Sequence, residues 1–149
     1  RAQLPEETQA LMAAREAAAA VDAEDYLAAV DILMKRHLCR IDPYPPHLAE
    51  SIAHMALPVY QTMWGPNEFT CTGTLQSWDR TAELGQVRAK TLILCGKYDE
   101  VVPSCSETMQ AGIPGSELVI FDESSHSSHL EEPERFFAVL KDFLRRTRN

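Results

Sequence analysis

Two short segments of this chain carry the residue types that acid–base chemistry needs: Gly96-Lys-Tyr-Asp99-Glu100-Val-Val-Pro103 and Ser124-Ser-His126-Ser-Ser-His129-Leu-Glu-Glu-Pro133. An aspartate that orients a histidine makes up two-thirds of a hydrolytic triad, the carboxylate fixing the tautomer of the imidazole that moves the proton. The third member is missing, because no Gly-x-Ser-x-Gly occurs in the 149 residues. Ser116 reads as a turn residue ahead of a strand, and Ser124, Ser125, Ser127 and Ser128 read as exposed hydroxyls outside any strand-to-helix elbow. None is expected to be a nucleophile. His126 and His129 also form a His-x-x-His pair, but no third ligand stands nearby, so no metal is expected and His129 reads as a packing residue. No phosphate-cradling glycine-rich loop is present, and no cofactor is expected.

Both segments follow apolar runs that read as buried strands, Thr91-Leu-Ile-Leu94 and Leu118-Val-Ile-Phe121. The acid and the imidazole are therefore expected at the carboxyl ends of consecutive parallel strands, where open α/β sheets build their sites. The spacing predicts strands over 90–95 and 117–121 and helices over 104–111 and 133–146. Consecutive Leu92, Ile93 and Leu94 suit a strand covered on both faces. In the last helix Phe136, Phe137, Leu140, Phe143 and Leu144 share one face. Glu131-Glu132 reads as its solvated start.

The first half has a different texture. An Ala-rich helix is predicted over 6–20 behind Pro5. A second, over 23–38, has Tyr26, Ala29, Val30, Leu33 and Met34 at 3.6-residue spacing. Pro-rich residues 42–46 break it, and a third helix is predicted over 47–56. Pro58 and Trp64-Gly65-Pro66-Asn67 mark irregular structure, followed by a connector over 73–89 with a short helix near 78–84. Two strands alone do not make a stable sheet, so the rest of it is expected from another polypeptide or from residues upstream of Arg1.

Composition narrows the function. A formal net charge of −8 disfavours nucleic acid and anionic membrane surfaces as partners. No apolar run approaches a membrane span. Cys39, Cys71, Cys95 and Cys105 lie far apart with no C-x-x-C, which favours reduced, mostly buried thiols in a cytoplasmic protein. The start lacks both an initiator Met and a signal-peptide pattern, and reads as a piece of something longer or a processed product.

The Asp and His segments together resemble the C-terminal end of α/β-hydrolases, whose triad runs Ser, Asp, His along the chain. Gly65-Pro-Asn67-Glu68-Phe69-Thr-x-Thr-Gly73, with Trp78-Asp79, Tyr26-Leu-Ala-Ala and Arg36-His-x-Cys-Arg-x-Asp-Pro, is similar to the cap of the proline iminopeptidases, which include the tricorn-interacting aminopeptidases. The resemblance covers nearly the whole chain but only the second half of such an enzyme. It implies a partial α/β-hydrolase fold, with a helical cap over 1–75 and the last β-α-β-α of the core over 76–149. It also implies Asp99 as triad acid, His126 as base, and Glu68 and Glu100 as carboxylates that bind the free α-amino group of a peptide substrate.

The bland readings are a turn residue for Asp99, a loop histidine for His126, a solvated carboxylate for Glu68 and a helix-start charge for Glu100. Trp64, Tyr60 and Phe69 read as pocket wall or as core. Three functions compete. The first is the second half of a serine aminopeptidase that releases N-terminal proline, completed by a half carrying the Ser. The second is another α/β-hydrolase, such as an esterase or epoxide hydrolase. The third is an inactive remnant that binds or self-dimerises through exposed strand edges.

Overall fold

The computed structural model describes residues 4–148, so residues 1–3 of the expected cap segment and Asn149 lie outside the described residues. The chain forms two compact units. One contains the residues up to Lys35 together with 43–78. The other contains 36–42 and the residues from Asp79 onward. The second unit thus includes a short segment, 36–42, that lies within the expected 1–75 cap range.

The helical unit holds α1 (Glu6–Ala17), most of α2 (Glu24–His37), α3 (Pro46–Ala53) and α4 (Leu57–Met63). The stripe read from the sequence forms its core: Tyr26, Ala29 and Leu33 are buried with Leu4 and Met12, and Val30 and Phe69 pack against them. Burying a side chain the size of Leu33 contributes about 1.5–3 kcal/mol. Phe69 is partly buried and packs against this core. The first helix ends before the predicted 20, at Ala17, where the chain turns and Ala19 takes φ 53°. Helix α4 was not expected, because Pro58 reads as a breaker. It occupies the first turn, where its missing N–H costs nothing.

Tyr26 does more than fill space. Its hydroxyl donates to Glu16 Oε1 at 2.8 Å and accepts from Asn67 Nδ2 at 2.7 Å. Asn67 Oδ1 in turn accepts Phe69 N–H at 2.9 Å, and Thr70 Oγ1 donates to Glu16 Oε1 at 2.7 Å. These bonds shape the turn that carries Glu68, closed by the Asn67–Thr70 bridge. Gly65 enters it at φ 151°, and a Cβ there would overlap the Thr70 carbonyl. Tyr26→Phe is expected to cost about 1–3 kcal/mol, since the partly buried Glu16 and Asn67 each lose a hydrogen bond while the packing volume is kept. Urea unfolding checks this; a midpoint equal to that of the parent protein would contradict it.

The second unit is β-α-β-α: β1 (Leu92–Gly96), α5 (Pro103–Gly112), β2 (Glu117–Phe121) and α7 (Pro133–Thr147), with a single helical turn, α6 (Ser128–Glu131), before α7. The strands pair in parallel, with Leu92 opposite Glu117 and Gly96 opposite Phe121. The connector's short helix is a 3-10 helix at Thr81–Gln86, a few residues later than expected. Ile93 and Cys95 are buried, but Leu92 and Leu94 are only partly covered, so β1 is not enclosed on both faces here. The apolar face of α7 is likewise incomplete. Phe136 packs on Phe121 with ring centroids 5.6 Å apart, whereas Phe137 and Leu144 are exposed. Arg146 closes α7 onto the sheet through paired bonds to Glu117 at 2.9 and 2.8 Å.

Candidate active site

β1 ends at Gly96, and the chain turns at once. Asp99 N–H donates to the Gly96 carbonyl, and Asp99 Oδ1 accepts Val101 N–H at 2.9 Å, an aspartate turn that leads to Pro103 at the start of α5. β2 ends at Phe121, and the loop after it folds back along the first. Lys97 N–H donates to the Phe121 carbonyl at 2.8 Å and Tyr98 N–H to the Ser124 carbonyl at 3.0 Å. Gly96 permits this contact, because a Cβ there would overlap the carbonyl oxygens of Ser124 and Ser125.

The lacing brings Asp99 and His126 together, with Asp99 Oδ1 2.9 Å from His126 Nδ1. The Asp99 side chain is 6% exposed and that of His126 is 47% exposed. A carboxylate oxygen accepts, so the contact suits a ring whose proton is on Nδ1, and an imidazole with its one proton there has its lone pair on Nε2. That is the tautomer a general base needs.

Of the other candidates, Glu100 follows Asp99 in the same loop and is partly buried. Glu68 lies in the helical unit, partly buried on its turn. His129 packs its ring 5.9 Å from that of Phe136. Among the described residues no cluster of three His, Cys, Asp or Glu could hold a metal ion. Trp64 Nε1 donates to the Asn67 carbonyl at 3.0 Å, so the indole supports the Glu68 turn.

Two sequence readings are overturned around His126. Ser124, Ser125, Ser127 and Ser128 are buried, not exposed. Nor is Glu131-Glu132 a solvated helix start. Glu131 accepts Ser125 N–H at 2.6 Å, Ser125 Oγ at 2.9 Å and Arg40 N–H at 2.6 Å. Glu132 accepts Ser124 Oγ at 2.5 Å and Glu123 N–H at 3.1 Å, with Arg135 at 3.3 Å. The serines and glutamates form one scaffold that holds the loop carrying His126. The pairing of Ser and Glu six and eight positions apart is the signal a sequence reading could have used.

Burial pushes the Glu132 carboxyl up, but the bonds from Ser124, Glu123 N–H and Arg135 outweigh it and hold it below its ordinary value of 4.5. A carboxylate depressed in the folded state stabilises fully above its unfolded pKa and loses that contribution as pH falls through the folded one. Stability should therefore decline below pH 4.5, and Glu132→Gln should flatten that decline. Urea midpoints measured from pH 6 to 3 test this, and an unchanged slope in the variant would contradict it.

The thiols follow the burial expectation in part. Cys39 and Cys95 are buried, and burial raises both above the ordinary cysteine value. Cys71 is partly covered and Cys105 exposed.

The comparisons with known proteins decide the family. A proline iminopeptidase of Saccharolobus solfataricus is 38% identical over 121 residues, which are 80% of this chain and 39% of that protein. The crystal structure of a proline iminopeptidase from Mycobacterium smegmatis is 41% identical, with a TM-score of 0.86 over 98% of this chain and 50% of that one. The chain belongs to the proline iminopeptidase family of α/β-hydrolases. The crystal structure of VinJ superposes with a TM-score of 0.92 at 37% identity, again over 98% of this chain and 50% of that one. No family model matches the chain. It spans about half the length of the curated proline iminopeptidases it matches. Among the described residues no helix is long and apolar enough to cross a membrane.

Proposed function

We propose that this chain supplies the acid and base of a serine aminopeptidase of the proline iminopeptidase type, acting on peptides with a free N-terminus. The observation that carries the reading is the 2.9 Å contact between a buried Asp99 and His126 Nδ1, on loops that follow neighbouring parallel strands. The nucleophilic Ser comes from outside the 149 residues, since they hold no Gly-x-Ser-x-Gly. The chain alone is therefore inactive. A complementary part supplies the nucleophile, the rest of the sheet and the oxyanion hole, and covers apolar residues such as Phe137 and Leu144 that stand exposed here.

In that assembly the Ser oxygen attacks the carbonyl carbon after the N-terminal residue as its proton passes to His126 Nε2. Asp99 stabilises the imidazolium. Nε2 then returns the proton to the departing amine as the C–N bond breaks, leaving an acyl-enzyme that water hydrolyses by the same proton path. Glu68 and Glu100 hold the substrate's ammonium by charge-assisted bonds. Four free cysteines suit a reducing compartment, the cytoplasm.

The test is hydrolysis of proline p-nitroanilide and of p-nitrophenyl acetate by the full-length polypeptide. Turnover of the anilide with little ester hydrolysis supports the reading. Ester turnover alone would replace it with an esterase, and no turnover of either would leave a binding remnant.

A further inference from the structure

We propose that His37 is a positioning residue that clamps both loops of the Asp99–His126 pair, a role whose kinetic readout rests on the function proposed above. His37 is the last residue of α2 and is 7% exposed. Its segment, 36–42, belongs to the unit that contains the pair. The end of an α-helix leaves carbonyls without intrahelical partners, and these carry the negative end of the helix dipole. The His37 carbonyl accepts Glu100 N–H at 3.3 Å and His126 N–H at 3.0 Å, while the Leu38 carbonyl accepts Ser127 N–H at 3.0 Å. One oxygen thus ties the residue after the acid to the base itself.

The His37 side chain grips the other flank. Its Nδ1 lies 2.7 Å from the Tyr98 carbonyl. A carbonyl only accepts, so Nδ1 must carry a proton and donate. Asp99 is therefore held on both sides, at Tyr98 by the ring and at Glu100 by the main chain. The strap continues the grip: Arg40 stacks 4.2 Å from the Tyr98 ring centroid and donates from its guanidinium to the Glu123 carbonyl at 2.8 Å. Packing alone would not ask a buried histidine to place a donor on the residue next to the acid. In hydrolysis, displacement of about 1 Å costs on the order of 10²-fold in rate, so a clamp on both loops bears directly on turnover.

The experiment compares His37→Asn and His37→Gln in the full-length enzyme. The Asn amide nitrogen sits where Nδ1 does, and the Gln amide reaches about one bond further, at similar bulk. His37→Gln is expected to lower kcat at least ~10-fold with KM within ~3-fold, and His37→Asn to stay within ~3-fold of the parent in both. The downfield Nδ1–H proton resonance of His126, assigned by its loss in His126→Ala, should persist in the parent and in the Asn variant and broaden or vanish in the Gln variant. Parent-like kcat and resonance in both variants would overturn the clamp. So would equal losses in both, since the position of the donor would then not matter. If the parent turned over no proline substrate, the proposed function would fail, and the resonance comparison would still decide the clamp.

Discussion

Replacing His126 by Ala in the full-length enzyme is expected to lower kcat on proline p-nitroanilide by at least about 10⁴-fold, with the fold intact. The magnitude follows from what the ring does. With Nδ1 held by Asp99 at 2.9 Å, Nε2 is the atom left to take the serine proton and to give it to the leaving amine. Without it both proton transfers fall to water, and only the oxyanion hole and substrate binding still accelerate the reaction. Folding should survive, because the His126 side chain is 47% exposed while its loop is held through main-chain bonds and the Ser–Glu scaffold. Asp99→Asn should be nearly as damaging, since an amide that donates toward Nδ1 selects the wrong tautomer. Circular dichroism and steady-state kinetics on the two variants test the pair. A His126→Ala rate within tenfold of the parent would remove His126 from the mechanism.

Blocking the substrate's amine is expected to have the second-largest effect. Acetylated proline p-nitroanilide should be cleaved on the order of 10²-fold or more slowly in kcat/KM than the free form. A neutral N-terminus forfeits the charge-assisted bonds that Glu68 and Glu100 are proposed to make to the substrate's ammonium. Glu100→Gln and Glu68→Gln should each narrow the gap between free and blocked substrates, mainly by slowing the free one. Equal rates on free and blocked substrates would sink the amine-recognition role while leaving the Asp99–His126 chemistry standing. The two predictions therefore fail independently.

Much of this protein was written in local sequence. The apolar runs before Asp99 and His126, the turn chemistry of Gly96 and Pro103, and the 3.6-residue stripe of α2 each reflect short-range preferences, and each produced its expected element. The family motifs lie in the same places. Local signals misled where one residue type serves two roles. Pro58 looks the same as a helix breaker and as a first-turn residue, and Glu131-Glu132 looks the same solvated or bonded to buried serines.

Only the tertiary structure decided which distant groups meet. His37 finds Tyr98 across 61 positions, Arg40 finds Glu131 across 91, and Tyr26 finds Asn67 across 41. Periodicity and propensity describe a segment's own backbone and the face it buries, and carry no information about a partner many turns away. The residue types able to orient and move a proton were legible in the chain. The holding of Asp99 and His126 within bonding distance arises from a helix end and a buried Ser–Glu scaffold, whose hydrogen-bond partners exist only once the chain has folded.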